Sequence, residues 1–435
     1  MNEQLIAEEK IRRPKRSKRL AKSKKTKVRN KIIACVAVVL IGGFTINDFN
    51  KTHIYNNIIP QNVFIEDVNV SGMTKEEAIS AVSSKYTPQD IKLSYENETY
   101  IISPQDIDLK YNVKEVVDNA YGYTKTESYI NNVKRFFDLK KNKQEFEVKS
   151  SYDEAKLSKT IEDISNIVNV KMVDAKVSIS NGGQISVSPA RSGKDLDIAA
   201  NKEAIYEMIK NKKYENINLK VNTKEPNVST QAASSVDTLL AEFSTKFSMS
   251  HPGRAHNIIT SANKSSDVLL MPGEEFSYNN LTGMRTVSNG YKDAPVIVNG
   301  KLEDGLGGGV CQTSSTLYNS VLYSGLQLTS IRNHSIASDY VPMGQDAMVN
   351  DGGTDFRFIN PYKHPVYIKN VVSNGVLTSR VYGNSEDKKN ISIKVDKFKE
   401  NGLDATKTYR EYKDASGKTI RTEYVAKSVY KKLKK

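Results

Sequence analysis

The sequence predicts an α+β protein built from several modules and anchored to a membrane near its N-terminus. Three features carry this prediction. An uncharged apolar run spans 32–47, and two stretches between 60 and 228 repeat a pattern of paired strands followed by a helix. A glycine-rich turn then leads into a helical pattern that begins near Cys311. Strand and helix periodicities that mix within each module are typical of α+β folds.

The basic residues are concentrated in an N-terminal tail. The chain of 435 residues has a net charge of +14, and residues 1–31 hold thirteen Lys and Arg against three Glu. The remaining modules are therefore almost balanced in charge, so they give no sign of a nucleic-acid-binding surface. We assign 1–31 as a basic cytoplasmic tail and expect no nucleic-acid partner.

The apolar run at 32–47 predicts a transmembrane anchor. It is shorter than a typical spanning helix, so a cleaved signal peptide is the competing interpretation. The basic region before it is longer than that of a signal peptide, and no small-residue cleavage motif follows it. Since basic residues stay on the cytoplasmic side, residues from about 48 onward should lie outside the cell.

Two repeated α+β units are predicted over 60–228. The first opens with a strand at 63–70 and a helix whose start is marked by the capping box Thr74–Glu77. The second contains a hairpin around the Asn-Gly-Gly turn at 181–183. Neither unit holds a Cys, a His or a catalytic pattern of carboxylates. We therefore expect a spacer or a binding platform.

A third α+β module is expected over 235–385, followed by a β-rich basic extension over 386–435. In that extension, β-like segments flank an Asp-Ala-Ser-Gly-Lys turn at 414–418, which predicts a hairpin.

Cys311 is the strongest candidate for chemistry. The only other cysteine, Cys35, lies in the apolar run, so the folded modules cannot form an internal disulfide. The three glycines before Cys311 offer no side chains to pack around it, which argues against a core position. A helix start lowers a thiol pKa, and its free N–H groups can bind an oxyanion. We predict a nucleophile with Gly309 and Gln312 supplying oxyanion-binding backbone N–H groups.

A cysteine nucleophile of this kind needs a base. His334 is the best candidate, because it follows the strand after the Cys311 helix and that strand can return toward the helix start. An exposed loop histidine is the simpler interpretation of the same residue, and His256 is the second choice. No histidine pair has metal-ligand spacing and no second cysteine is available, so no metal or cofactor is predicted.

A carboxylate should orient the histidine ring. Asp346, Asp351 and Asp355 are the candidates, and their spacing does not rank them; we name Asp346 first. Arg332 could bind a substrate carboxylate or pair with a neighbouring acid.

Six segments of the third module carry a resemblance to a known family: Arg254–Ile258, Pro272–Asn279, Gly290–Tyr291, Ala294–Pro295, Gly307–Tyr318 and His334–Ser335. They resemble the VanW family, a vancomycin-resistance-associated domain of Gram-positive surface proteins. The resemblance covers about 235–370, and the units at 60–228 resemble the peptidoglycan-binding domain that often precedes it. We add Ser314 and Tyr291, which lie in the matching segments, to Arg332 as substrate-binding candidates.

The resemblance implies that peptidoglycan stem peptides are the partner. Some family members are thought to be cysteine L,D-transpeptidases, which join two stems through diaminopimelate, and a Cys–His pair agrees with that activity. Two alternatives stay open. The same cysteine could serve a hydrolase (an L,D-carboxypeptidase or amidase), or the chain could be a non-catalytic wall-binding scaffold. Nothing in the sequence indicates an oligomeric state.

Overall fold

The computed structural model describes residues 14–298 and 301–432, and it divides into two compact units. Unit 1 comprises the described residues up to Val168 together with Leu196–Asn222. Unit 2 comprises Asn169–Asp195 and the described residues from Thr223 onward. Residues 1–13 of the predicted basic tail and 433–435 of the predicted extension lie outside the described residues.

The chain from 14 to 224 contributes six helices and twelve strands to the described structure, which are named here in chain order. They are α1 (Pro14–Phe49), β1 (Val63–Ile65), β2 (Val68–Asn69), α2 (Lys75–Lys85), β3 (Ile91–Tyr95), β4 (Glu98–Ile102), β5 (Lys110–Tyr111), α3 (Val113–Gly122), α4 (Tyr129–Asp138), β6 (Gln144–Phe146), β7 (Ser150–Ser151), α5 (Glu154–Val168), β8 (Lys176–Ile179), β9 (Ile185–Ser188), β10 (Gly193–Leu196), α6 (Ile198–Asn211), β11 (Ile217–Asn218) and β12 (Val221–Lys224).

The apolar run lies in one long helix. α1 continues into a π-helical turn at Asn50–Ile54, and the stretch Lys25–Ile54 is long and apolar enough to cross a membrane by length and composition. The helix is longer than the predicted 32–47 because flanking polar residues with good helix propensity extend it in both directions.

Unit 1 contains two apolar cores. In the first, the sheet β2-β1-β6 packs with α2 and α3, and α2 begins at the predicted capping box, in which Thr74 and Glu77 bond each other's backbone N–H groups. In the second, the sheet β11-β3-β4 packs with α5 and α6. Each core therefore combines a small sheet with two helices, as an α+β fold requires.

The predicted order of two consecutive repeats over 60–228 differs from the structure. The β3–β4 hairpin does not stay with α2 and α3, because Ile91, Leu93 and Ile102 are buried in the second core beside α5 and α6. The β8–β9 hairpin belongs to unit 2, where Val177 and Ile179 are buried. Hairpins that are apolar on one face pack where an apolar surface is available, and chain order does not decide where that is.

The chain from 225 to 432 contributes the remaining elements. They are α7 (Thr230–Ser234), β13 (Thr238–Lys246), α8 (Pro252–Lys264), β14 (Val268–Leu270), β15 (Glu275–Ser277), α9 (Tyr278–Thr282), β16 (Asp293–Val298), β17 (Lys301–Leu306), α10 (Val310–Ser324), β18 (Gln327–Ser330), β19 (Arg357–Ile359), β20 (Val366–Ser373), β21 (Val376–Gly383), β22 (Asn390–Glu400), β23 (Leu403–Lys413) and β24 (Thr419–Tyr430).

α10 is the central helix of unit 2. It packs against the antiparallel sheet β13-β21-β20-β14, and on its other sides it meets α8 and β22. Every residue of α10 except Cys311 and Tyr323 is buried. A helix enclosed on nearly all sides holds its first turn in a fixed position, which matters for the site described below.

The C-terminal extension forms a three-stranded antiparallel sheet, β22-β23-β24. The predicted hairpin is present as β23 and β24 around the turn at 414–418, where Asp414 N donates to Lys418 O. β22 adds a third strand that the sequence analysis did not separate from its neighbours. This sheet packs into unit 2, so the extension is part of that unit.

Candidate active site

The site begins at the first turn of α10. Gly309 is the N-cap residue, with a φ of 103°, and no side chain caps the helix there. A φ in this region favours glycine, and an uncapped helix start leaves backbone N–H groups available. Cys311 is the second residue of the helix, so its thiol lies at the positive end of the helix dipole.

The glycines before Cys311 are required by close packing. A Cβ at Gly308 would lie 2.6 Å from Pro295 O, and one at Gly309 would lie 2.9 Å from the Arg254 side chain. Cys311 is half-buried and contacts the apolar core of unit 2. The glycines thus allow the backbone to be approached closely, and Cys311 lies at the margin of the core.

Two backbone N–H groups at this turn remain available. Within the described part of the chain, the N–H groups of Gly309 and Cys311 have no hydrogen-bond partner. The predicted oxyanion role of Gln312 does not fit, because Gln312 N donates to Gly309 O at 3.0 Å. Its side chain is also engaged, since Arg254 donates to Gln312 Oε1 at 2.7 Å and Gln312 Nε2 donates to Lys246 O at 2.9 Å.

A histidine and an aspartate lie next to this turn. His334 Nδ1 lies 2.7 Å from Asp346 Oδ2, and the His334 backbone N donates to the same oxygen at 2.6 Å. Asn333 Nδ2 donates to Asp346 O at 2.6 Å, which fixes the two segments together. With Nδ1 bonded to the carboxylate, the ring has Nε2 left for another partner. The Cys311 thiol itself donates to Val349 O at 3.4 Å.

The protonation of the thiol and the imidazole is coupled. Burial raises the pKa of the Cys311 thiol, but a hydrogen bond with His334 and the charge of that ring outweigh it, so the pKa is lowered. Burial lowers the pKa of His334, but hydrogen bonds with Asp346 and Cys311 raise it to about 10. These directions favour a thiolate–imidazolium pair, the reactive form of a cysteine nucleophile.

The other candidate orienting groups have different partners. Asp351 accepts from Arg285 Nη1 at 2.9 Å. Asp355 accepts from Arg357 Nε at 2.7 Å and from Ser277 Oγ at 2.7 Å. His256 is half-buried, and its Nε2 lies 2.8 Å from Gly290 O. The geometry therefore brings Asp346, and not these residues, to His334.

Tyr430 contributes to the site from the C-terminal sheet, and the sequence analysis did not identify it. Its phenol donates to Asp346 Oδ1 at 2.8 Å and accepts from Gly344 N at 2.7 Å. Burial raises the pKa of this phenol to about 12, helped by the charge of Asp346, so the phenol remains a donor at neutral pH. One carboxylate oxygen of Asp346 is thus hydrogen-bonded to His334 and the other to Tyr430.

Polar side chains of α10 hold the Asp346 segment in place. Ser314 Oγ donates to Ala347 O at 2.7 Å, and Ser315 Oγ accepts from Ala347 N at 2.9 Å. Asn319 Nδ2 donates to Gln345 O at 2.8 Å. These contacts bracket Asp346, so the helix that carries Cys311 also positions the carboxylate.

The three candidate substrate-binding residues differ in exposure. Ser314 and Tyr291 are buried, and each hydroxyl donates to a backbone carbonyl, Tyr291 to Thr282 O at 3.1 Å. These partners give both residues a structural role that leaves no hydroxyl proton for a substrate. Arg332 is exposed, so its side chain can reach a ligand.

Tyr340 was also missed. Burial raises the pKa of its phenol, and the charge of Cys311 raises it further, so a protonated phenol lies near the thiol. The described residues contain no group of three or more His, Cys, Asp or Glu side chains that could hold a metal ion. Together, the Cys311 thiol, the His334–Asp346 pair and the free N–H groups at the start of α10 can form a thiolate and donate hydrogen bonds to a developing oxyanion.

Comparison with protein families gives two matches. Residues 253–382 match the family described as "VanW like protein", and residues 100–218 match the family described as "Putative peptidoglycan binding domain". The first segment contains Cys311, His334 and Asp346 but ends before Tyr430. The second associates the chain with peptidoglycan and the cell envelope.

Two known sequences are similar to parts of the chain. The "Uncharacterized protein YoaR" of Bacillus subtilis is 40% identical over 185 residues, which is 42% of this chain and 61% of YoaR. The "Vancomycin B-type resistance protein VanW" of Enterococcus faecalis is 29% identical over 130 residues, which is 28% of this chain and 47% of that protein. The chain thus spans less than two thirds of either relative, and no solved structure matches it. The segment 253–382 is thus similar to the VanW-like family.

Proposed function

We propose that the chain is a cysteine L,D-transpeptidase that cross-links peptidoglycan. The observation that carries the proposal is the His334–Asp346 pair, which lowers the pKa of the Cys311 thiol, beside two backbone N–H groups that have no partner among the described residues. A nucleophile, a base, an orienting carboxylate and oxyanion donors are the groups that acyl transfer requires. The match to a peptidoglycan-binding domain supplies the substrate class.

In the first half-reaction, the Cys311 thiolate attacks the carbonyl that joins diaminopimelate to the terminal D-Ala of a tetrapeptide stem. The N–H groups of Gly309 and Cys311 stabilise the oxyanion of the tetrahedral intermediate. The C–N bond then breaks, protonated His334 gives its proton to the leaving amine, and D-Ala departs. The stem remains attached to Cys311 as a thioester.

In the second half-reaction, the side-chain amine of a diaminopimelate in a neighbouring stem attacks the thioester. Neutral His334 accepts the proton of that amine as the new amide bond forms. The Cys311 thiolate leaves, and the thiolate–imidazolium pair is restored. Water in place of the amine gives hydrolysis, so an L,D-carboxypeptidase differs from a transpeptidase only in the acceptor.

We further propose that α1 is a retained anchor, with the basic tail in the cytoplasm and the modules facing the wall. The exposed apolar side chains of α1 support it: Val38, Val39 and Phe44 are each at least 70% exposed. In this arrangement the first modules act as a wall-binding spacer. Isolation of a mature protein whose N-terminus lies near residue 48 would contradict the anchor.

The experiment is to incubate the full chain in detergent with disaccharide-tetrapeptide and analyse the products by mass spectrometry. We expect a covalent adduct on the Cys311 peptide and dimers linked through two diaminopimelates. Tripeptide without dimers would favour the carboxypeptidase. Binding to sacculi without any adduct would favour the non-catalytic scaffold.

A further inference from the structure

One helix of unit 1 has an outer face that is apolar and largely exposed. α4 places Ile130, Val133 and Phe137 along one side, at the i, i+3 and i+7 spacing that defines a helix face. Ile130 is 78% exposed and Phe137 is 49% exposed. The opposite side contributes Asn132, which is buried. An apolar face of this kind is expected to meet a partner.

The position of α4 suggests what that partner is. Phe49 is the last residue of α1, and its ring lies 5.5 Å from the ring of Phe136 and 6.2 Å from that of Phe137. His53, in the turn after α1, lies 5.3 Å from Phe136. All four rings belong to unit 1. α4 is therefore held against the end of the stretch that is long and apolar enough to cross a membrane.

The charges around the helix are those of a membrane surface binder. Lys134, Lys140 and Lys141 are exposed against one exposed acid of the helix, Asp138, and the Lys140 amine lies 5.1 Å from the centre of the Phe137 ring. Amphipathic helices with an apolar face and flanking lysines lie in the interface of bilayers that contain anionic lipids. Tyr55 is 53% exposed just after α1, and such aromatic residues favour the same depth.

We propose that α4 lies in the membrane–water interface, with Ile130, Val133 and Phe137 among the acyl chains and the lysines at anionic headgroups. The proposal rests on the membrane anchor proposed above. Its partner is the same bilayer that α1 spans, on the side of the modules. α4 and α1 together then fix how the first module meets the membrane, since a helix lying in the interface removes the rotation that a single span allows.

The chain contains no tryptophan, which allows a clean test. The full chain with Ile130→Trp is reconstituted in phosphatidylcholine–phosphatidylglycerol vesicles, and part of the phosphatidylcholine is replaced by its dibrominated form, which quenches tryptophan on contact. We expect blue-shifted emission that is largely lost with brominated lipid. Because Ile130 is mostly exposed, the substitution removes few contacts and should not disturb folding.

Two further tryptophan variants serve as controls. Ile167→Trp replaces an isoleucine that is 69% exposed on α5 and should keep red-shifted, unquenched emission. Phe44→Trp lies in α1 and should be quenched if α1 spans the bilayer. Quenching of Phe44→Trp without quenching of Ile130→Trp would overturn the α4 proposal and leave the anchor standing. If neither reporter were quenched, both proposals would be wrong.

Discussion

Two helices of similar length, α5 in unit 1 and α10 in unit 2, show two different uses of a buried helix. α5 buries one stripe, in which Leu157, Ile161, Ile164 and Val168 recur at helical spacing. α10 is buried nearly all round, and its buried residues include Ser314, Ser315, Asn319 and other polar side chains. Burying polar groups costs free energy unless each finds a partner.

The partners explain the difference. The hydroxyls of Ser314 and Ser315 and the amide of Asn319 bond the backbone of Gln345 and Ala347, so the polar face of α10 fixes a loop. The apolar stripe of α5 supplies stability and fixes no such loop. We infer that unit 1 tolerates rearrangement as long as its cores stay filled, whereas unit 2 depends on individual hydrogen bonds.

The largest effect is expected at Cys311. Cys311→Ala should lower adduct and cross-link formation by roughly 10⁴-fold or more, because the nucleophile is lost. Cys311→Ser should be nearly as inactive, since a hydroxyl ionises far less readily than a thiol. The control is Cys35→Ala in α1. Intact mass after incubation with disaccharide-tetrapeptide is the measurement, and dimers formed by Cys311→Ala would rule out the catalytic proposal.

The next largest effect is expected for Asp346→Asn, which should lower adduct formation on the order of 10²–10⁴-fold. Without the carboxylate the pKa of His334 falls from about 10, and the pKa of the Cys311 thiol rises because its imidazolium partner is less stable. The rate of iodoacetamide alkylation of the Cys311 peptide should therefore rise at higher pH than in the wild type.

The matched control for that variant is Asp339→Asn, an exposed aspartate between His334 and Asp346 in the chain. Its alkylation profile should coincide with that of the wild type. An unchanged profile for Asp346→Asn would show that the carboxylate does not act on the Cys–His pair.

Tyr430→Phe tests the contribution of the C-terminal sheet. Loss of the phenol leaves Asp346 Oδ1 without its 2.8 Å donor, and a hydrogen bond to a charged group is worth about 1.5–3 kcal/mol. We expect the rate of adduct formation to fall by about tenfold or more, with little change in the substrate concentration for half-maximal rate. The alkylation profile should shift in the same direction as that of Asp346→Asn.

Tyr412→Phe is the control for Tyr430→Phe. Tyr412 lies on the neighbouring strand, and its phenol donates to Glu423 at 3.0 Å, away from Asp346. In a double-mutant cycle, Tyr430→Phe should cost little once Asp346 is already Asn, because the two act through one contact. Additive losses would mean that Tyr430 does not act through Asp346.

The smallest effect on activity is expected in unit 1. Ile161→Ala empties part of the second core and should lower the free energy of unfolding by about 2–5 kcal/mol, while adduct formation by the folded protein stays unchanged. Ile167→Ala, on the exposed side of the same helix, should change stability by less than about 0.5 kcal/mol. A large loss of activity in folded Ile161→Ala would contradict the division of roles between the units.

Local features were predictable. The capping box at Thr74, the hairpin turn at 181–183 and the helix that begins beside Cys311 each depend on a few neighbouring residues. His334 was a reasonable candidate because one strand returns the chain toward that helix. Interactions between residues that are close together in the chain leave a pattern in the sequence, so composition and spacing were enough to predict these features.

Only the tertiary structure distinguished the aspartates and brought in Tyr430. The phenol of Tyr430 and the carboxylate of Asp346 are 84 residues apart, and no periodicity encodes which buried donor meets which acceptor. The sequence also did not show where the β3–β4 and β8–β9 hairpins would pack, since any apolar face of suitable shape could have packed against them. The sequence by itself thus determined most of the elements and singled out Cys311 as the candidate nucleophile, whereas long-range packing decided the partners, because contact between distant segments depends on how all the surfaces fit at once.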